Sequence, residues 1–263
     1  MQSSQSHAAD ATTPKPYGLL GLFVSTLVIL LTAALILLLI AAAAFGIVTA
    51  KVGWQGALQR FIDLVPSTEP AQDAADHINI GVGILAYVVT AGSVLIVARF
   101  RGGAAGWTKL IGWQPWDMSR HVRLVALLLI ATLVYSFVAS ALIEQVYPEA
   151  KDWVPTPSGT PWIIGFLALA TLFAPITEEL LFRGWIYTSL RRSIGARFGI
   201  LVSAILFALA HWESSHLYAL AVFPVGLALG FVRQRTDSVA ASITFHSLYN
   251  GVASVLLFVG KSG

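Results

Sequence analysis

Three charged side chains lie inside an apolar stretch of the sequence, where charge is costly. They are Glu178, Glu179 and Arg183. An ionised side chain at the centre of a membrane helix costs at least ~2.5–3.5 kcal/mol on insertion scales. Residues of this kind therefore face the interior of a helical bundle and mark a functional site. The alternative is that all three only lock neighbouring helices together.

The spacing of the three charged residues predicts different roles for them. Glu179 and Arg183 are four residues apart, so they lie on one helix face and can form an ion pair. Glu178 is turned by about 100° from Glu179 and has no polar partner four residues away along its own helix. An unpaired carboxylate in an apolar site is suited to act as a general acid or base. Pro175 is expected to interrupt the helix, with Thr177 near a new N-terminus.

Polar residues in two later apolar segments fall at a similar depth. These are His211, then His246 and Asn250, which are four apart and share a helix face. Counted from arginines near the helix ends at about 1.5 Å per residue, Glu178, His211 and Asn250 lie about 21–22 Å along their helices and His246 about 16 Å. A lone histidine in a membrane helix is more often a hydrogen-bonding residue than a catalyst. Four polar groups at one level favour a shared site.

The elements that must position these residues are apolar helices. The chain is 57% hydrophobic and 11% charged, whereas soluble domains carry about 25% charged residues. Six runs without Asp, Glu, Lys or Arg are long enough to span a bilayer as helices of about 20 residues, and a shorter run, 198–210, lies between two of them. The six runs are 16–50, 78–98, 124–143, 153–177, 214–232 and 238–260. The sequence predicts an all-α, polytopic transmembrane helical bundle of about seven or eight membrane helices.

Charge distribution predicts the orientation of the bundle. With the N-terminus placed in the cytoplasm, 11 Lys and Arg residues fall inside and four outside, as the positive-inside rule requires. The short loops and this bias favour a bacterial inner membrane. Basic residues distributed in this way are no sign of nucleic-acid binding, and the lipid bilayer is the expected partner. The absence of cysteine excludes disulfides and cysteine-ligated metals.

The ordered polar set resembles the three motifs of the CPBP family (CAAX protease and bacteriocin-processing), which includes the type II CAAX prenyl endopeptidases. The matching positions are Glu178-Glu179-x-x-x-Arg183, Phe207-x-x-x-His211 and His246-x-x-x-Asn250. The resemblance covers about 161–257. It divides the chain into a polar, disordered tail (1–16), N-terminal membrane helices with an interfacial segment (17–150) and a CPBP-like catalytic transmembrane domain (151–263).

The resemblance implies an intramembrane endopeptidase that hydrolyses a peptide bond of a membrane-associated or lipidated protein or peptide. In that family pattern, Glu178 with His211 activates the attacking water, while His246 and Asn250 stabilise the oxyanion. The remaining motif residues hold the site in shape or pack beside it; these are Glu179, Arg183 and Phe207.

Three other interpretations stay open at this stage. A zinc-dependent protease could use Glu178, His211 and His246 as ligands, although the expected mechanism needs no cofactor. The His-Glu-x-x-His signature is absent, since His211 and His216 are five residues apart. A non-enzymatic scaffold or bacteriocin-immunity protein would use the cluster only for stability. A transporter with a proton relay would also bury Glu and His.

Overall fold

The computed structural model describes residues 18–62, 69–148, 159–212 and 216–261. Across these ranges the chain is helical and contains no strand, which confirms the predicted all-α class. The predicted N-terminal tail lies outside the described residues. The α-helices are α1 (Leu19–Ile62), α2 (Glu69–Ile111), α3 (Met118–Val146), α4 (Thr160–Ala168), α5 (Ala174–Glu179), α6 (Tyr187–Ile194), α7 (Ala196–Leu209), α8 (His216–Thr236) and α9 (Val239–Lys261). Two π-helical segments, π1 (Leu169–Phe173) and π2 (Leu180–Ile186), flank α5.

Six helical stretches in the described part of the chain are long and apolar enough to cross a membrane. They are Leu19–Arg60, Asn79–Ile111, Met118–Val146, Thr160–Ile194, His216–Thr236 and Val239–Val259. Each of these stretches overlaps one of the six charge-free runs of the sequence. Those runs were therefore sufficient to find the candidate spans. Together with the shorter apolar helix α7, they confirm a polytopic bundle of about seven helices.

Helix α7 is shorter than a full span, and this changes the position of His211. Its 14 residues extend about 21 Å at 1.5 Å per residue, against a hydrocarbon core of about 30 Å. The helix ends at Leu209, and His211 lies in the turn that follows, with its backbone N–H on the carbonyl of Ala208. His211 therefore lies just beyond the end of α7 and not within the helix.

The segment predicted to lie in the membrane interface, between Arg99 and Arg123, is formed by the end of helix α2, the α2–α3 loop and the start of α3. The helix turns at Gly103, where φ is 65°, and goes on to Ile111. Of the tryptophans in this segment, Trp107 and Trp116 pack against the buried apolar cluster, whereas Trp113 is 42% exposed. The segment is thus anchored to the bundle by two of its tryptophans.

The polar junction between α8 and α9 holds the α2–α3 loop. Asp237, with φ at 51°, accepts hydrogen bonds from Arg191 at 2.6 Å and from buried Arg233 at 3.1 Å. Burial raises the pKa of the Asp237 carboxyl, but the bond from Arg191 and the charge of Arg233 outweigh it and hold that pKa below its ordinary value. Val239 N–H donates to the carbonyl of Gly112. Gly112 has a φ of 68°, which favours glycine, and a Cβ there would lie 1.9 Å from the Arg233 guanidinium, which would have to move.

The best-buried side chains lie where the C-terminal helices meet. Trp185, Phe207, Leu229 and Phe245 are each 2% exposed or less and belong to one apolar cluster. Large apolar side chains on α1 and α3 point outward instead, as lipid-facing residues do. The intramembrane charges are therefore surrounded by π2, α7, α8 and α9.

Candidate active site

Glu178 and Glu179 are the last two residues of the short helix α5, which lies between the two π-helical segments. In π1 the Ala174 N–H donates to the carbonyl of Leu169, five residues earlier, and at the end of π2 the Tyr187 N–H does the same with Phe182. Residues 160–194 nevertheless form one continuous rod. As expected, Pro175 interrupts the α-helical register and lies in the first turn of α5, although the helical rod continues through it. Short π-helical insertions of this kind are frequent at functional sites.

The π register explains the position of Asn250. In the π register a carbonyl accepts a hydrogen bond from the N–H five residues later. The carbonyl of Ala170 would therefore accept from the backbone N–H of residue 175. Proline has no N–H, so that carbonyl loses its partner. Asn250 Nδ2 donates to the Ala170 oxygen at 2.8 Å and replaces the missing bond. One of the two amide donors of Asn250 thus has a structural task.

The predicted ion pair between Glu179 and Arg183 is confirmed. Arg183 Nη1 lies 3.0 Å from Glu179 Oε1, and both side chains are fully buried. The guanidinium also donates from Nη2 to the carbonyl of Gly226 at 2.9 Å. Its central carbon lies 4.4 Å from the centre of the Phe207 ring, a cation–π distance. The pair therefore ties the 160–194 rod to α7 and α8.

His246 contacts both glutamates. Its Nδ1 lies 3.0 Å from Glu179 Oε1, and its Nε2 lies 3.9 Å from Glu178 Oε2. Since a carboxylate only accepts, Nδ1 carries the hydrogen in the first contact. This bond fixes the ring and aims Nε2 towards Glu178. His246 was predicted to share a depth with the glutamates, but not to bridge them.

Glu178 has a partner that sequence spacing did not reveal. Tyr87, on α2, donates its hydroxyl hydrogen to Glu178 Oε1 at 3.0 Å. The hydroxyl of the preceding residue, Thr177, donates to the Tyr87 carbonyl at 2.9 Å instead of capping a helix. A tyrosine in the middle of an apolar run was the available signal, because a buried phenol needs a polar partner. Nothing in the spacing connected it to Glu178.

Phe207 contacts both histidines of the predicted site. Its ring centre is 4.7 Å from that of His211 and 5.8 Å from that of His246. His211 Nδ1 lies 2.8 Å from the carbonyl oxygen of Phe207 and donates to it, which leaves Nε2 as the acceptor in the neutral ring. The other aromatic neighbour of His211 is Tyr218, with ring centres 6.0 Å apart.

The metal alternative requires Glu178, His211 and His246 to converge. Within the described ranges, no three His, Asp or Glu side chains form a group that could hold a metal ion. Glu178 and His246 approach each other, whereas the described neighbours of His211 are Phe207 and Tyr218. The arrangement brings every predicted residue to one region but does not present these three as a ligand set.

Residues 160–252 match the family model described as type II CAAX prenyl endopeptidase Rce1-like. This part of the chain is similar to that family. The CAAX endopeptidase match includes all seven predicted site residues and excludes Tyr87. A curated relative, the UPF0177 protein YxdF of Lactococcus lactis subsp. lactis (strain IL1403), is 26% identical over 153 residues, covering 55% of this chain and 82% of the relative. No solved structure matches.

The CAAX endopeptidase match and the six spans agree on the kind of protein. Together they indicate an integral membrane protein and support a CAAX-type intramembrane protease. The predicted resemblance to the CPBP family is thus confirmed for the C-terminal part of the chain. The polar groups of this part of the chain include the Glu178 carboxylate, the imidazoles of His211 and His246 and the Asn250 amide.

Proposed function

We propose that the protein is an intramembrane endopeptidase in which Glu178 activates water to hydrolyse a peptide bond of a membrane-associated or lipidated protein or peptide. The observation that carries the proposal is the contrast between the two glutamates. Glu179 is fully buried and neutralised by Arg183, whereas the Glu178 side chain is 13% exposed and has Oε2 turned towards His246. Glu178 can therefore meet a water and a substrate.

In the proposed reaction, water attacks the carbonyl carbon of the scissile bond and transfers a proton to Glu178. The carbonyl oxygen becomes an oxyanion, the C–N bond breaks, and the proton passes to the leaving amine. His246 is suited to stabilise the oxyanion, because the contact of Nδ1 with Glu179 orients the ring and directs Nε2 into the site. The second N–H of Asn250 is a further donor, and His211 assists Glu178 from its turn.

The proposed chemistry needs no metal, and the location is part of the same proposal. In this proposal Asn250 and His246 face the oxyanion, and a zinc site would have no use for Asn250, since amides are poor zinc ligands. We place the protein in a bacterial inner membrane with a cytoplasmic N-terminus, following the charge distribution.

The test uses purified protein and a quenched fluorescent peptide with a farnesylated CAAX end. We expect cleavage by the wild type, none by Glu178→Gln, and normal cleavage by Glu144→Gln, a matched change at an exposed glutamate on α3. If the wild type ignores this probe, mass spectrometry of peptides trapped by Glu178→Gln in cells identifies the substrate class. Full cleavage by Glu178→Gln would contradict the proposal and favour another base.

Metal dependence is tested on the same preparations. We expect activity to survive chelator treatment and metal analysis to find no stoichiometric metal. Near-stoichiometric zinc that is lost together with activity in His211→Ala, and that restores activity to chelated wild type, would establish the zinc mechanism instead. Proton-coupled flux without cleavage would favour a transporter.

A further inference from the structure

Tyr87 is connected to helix α5 by two hydrogen bonds. Its hydroxyl donates to Glu178 Oε1 at 3.0 Å, and its backbone carbonyl accepts from Thr177 Oγ1 at 2.9 Å. Both partners lie on α5, whereas Tyr87 lies on α2, outside the matched range 160–252. The two bonds fix the tyrosine relative to the carboxylate from both its backbone and its side chain.

The two oxygens of Glu178 are chemically equivalent until a donor engages one of them. The last torsion of a glutamate side chain is broad and roughly two-fold, so packing alone fixes it poorly. Tyr87 engages Oε1 at hydrogen-bond distance, while His246 Nε2 is 3.9 Å from Oε2, beyond that distance. Oε2 thus keeps its lone pairs facing the side of the site where His246 lies.

We propose that Tyr87 is a positioning residue for Glu178: its hydroxyl holds Oε1, so that Oε2 is the oxygen that takes the proton of the attacking water. This inference rests on the proposed function. It adds a residue of the N-terminal helices to a site otherwise built by the C-terminal ones. Helix α2 then has a part in catalysis as well as in forming the membrane bundle.

Other ionisable groups also face Glu178 and must be considered. His246 approaches from α9 and Arg183 from the same rod, and Tyr218 on α8 lies within electrostatic reach. Each of these remains in place when only the Tyr87 hydroxyl is removed. Tyr87→Phe keeps the ring and the backbone carbonyl that binds Thr177, so it isolates the one bond to Glu178.

The first test does not depend on activity. The chain has six glutamates, so carboxyl-¹³C labelling gives few resonances, and Glu178→Gln identifies that of Glu178. We expect Tyr87→Phe to shift this resonance. The matched control is Tyr187→Phe, which removes a buried hydroxyl bonded to Gln234 and should leave the Glu178 resonance unchanged. An unshifted resonance in Tyr87→Phe would overturn the inference.

The second test is kinetic and uses the farnesylated CAAX peptide, or a peptide captured by Glu178→Gln. A misplaced base should lower kcat by about 10- to 100-fold. KM should stay within about twofold, because the lost interaction acts only in the transition state. Tyr187→Phe should change neither constant, and both variants should unfold at similar temperatures. A rise in KM with unchanged kcat, or equal losses in the two variants, would overturn the positioning role.

The two tests separate failure of this inference from failure of the proposed function. If Glu178→Gln cleaves as well as the wild type, the proposed base is wrong, and Tyr87 has no catalytic step to support. If Glu178→Gln is inactive while Tyr87→Phe has normal kcat, the proposed function stands and the positioning role falls. A double variant should be no slower than Glu178→Gln alone, because Tyr87 acts through Glu178.

Discussion

Glu179 and His246 share a hydrogen bond of 3.0 Å between Oε1 and Nδ1, made by the same carboxylate oxygen that binds Arg183. Glu179 is fully buried, so this oxygen compensates two nitrogen donors that water cannot reach. The bond also sets which nitrogen of His246 points into the site. Glu179 is thus both the ion-pair partner of Arg183 and the residue that orients the His246 ring.

Glu179→Gln should destabilise the protein strongly while keeping the side-chain volume. It leaves Arg183 buried without a charge partner, a change that costs about 3–5 kcal/mol in other buried pairs. We expect low folded yield and a lower thermal unfolding temperature in detergent. Glu178→Gln is the control, since its more exposed carboxylate has no ion pair with Arg183, and it should unfold near the wild-type temperature. Equal stability of the two variants would show that the roles are not divided in this way.

Asn250→Ala should expose the unpaired carbonyl of Ala170. A buried acceptor left without a donor costs about 1–3 kcal/mol. Pro175→Ala supplies the N–H that proline lacks, so Asn250→Ala should cost less stability in that background than in the wild type. Thermal unfolding of the four proteins measures this coupling. Additive losses would contradict the link, whereas restored stability without restored cleavage would support a separate oxyanion role for Asn250.

Stability should fall in acid partly through Asp237. Its folded pKa lies below its ordinary value of 3.8, so its contribution is present above about pH 4 and is lost as the pH falls through the folded pKa. The effect should be modest, since the side chain is 58% exposed. Asp237→Asn should unfold at a lower temperature than the wild type at pH 7, and this difference should shrink towards pH 3. A constant difference would contradict the assignment.

Orientation in the membrane can be tested because the chain has no cysteine. We expect single cysteines at Ala105 and Ser193, both exposed in the structure, to be protected in intact cells from a thiol reagent that cannot cross the membrane. A cysteine at Ser67, in the segment between α1 and α2, should be labelled. Disrupted cells should label all three. The reverse pattern in intact cells would place the N-terminus outside.

The amino-acid sequence was sufficient for features that depend on local periodicity and hydropathy. An apolar run of about 20 residues is long enough to cross a bilayer as a helix and has few alternative structures. The spans could therefore be found from the sequence. The pair of Glu179 and Arg183 followed from their spacing on one helix. The shared depth of Glu178, His246 and Asn250 needed only the rise per residue. His211 was placed less accurately, because apolarity alone does not mark where a short helix ends.

Tertiary structure decided the contacts that no spacing encodes. Tyr87 and Glu178 are 91 positions apart, and their bond depends on how α2 packs against α5. Whether Asn250 binds a substrate or a backbone carbonyl depends on the π register around Pro175, which apolar periodicity does not reveal. His246 reaches both glutamates because α9 crosses the rod beside them. Spacing and hydropathy along the chain thus predicted which polar residues lie within the membrane helices. Helix packing decided which of their atoms make contact.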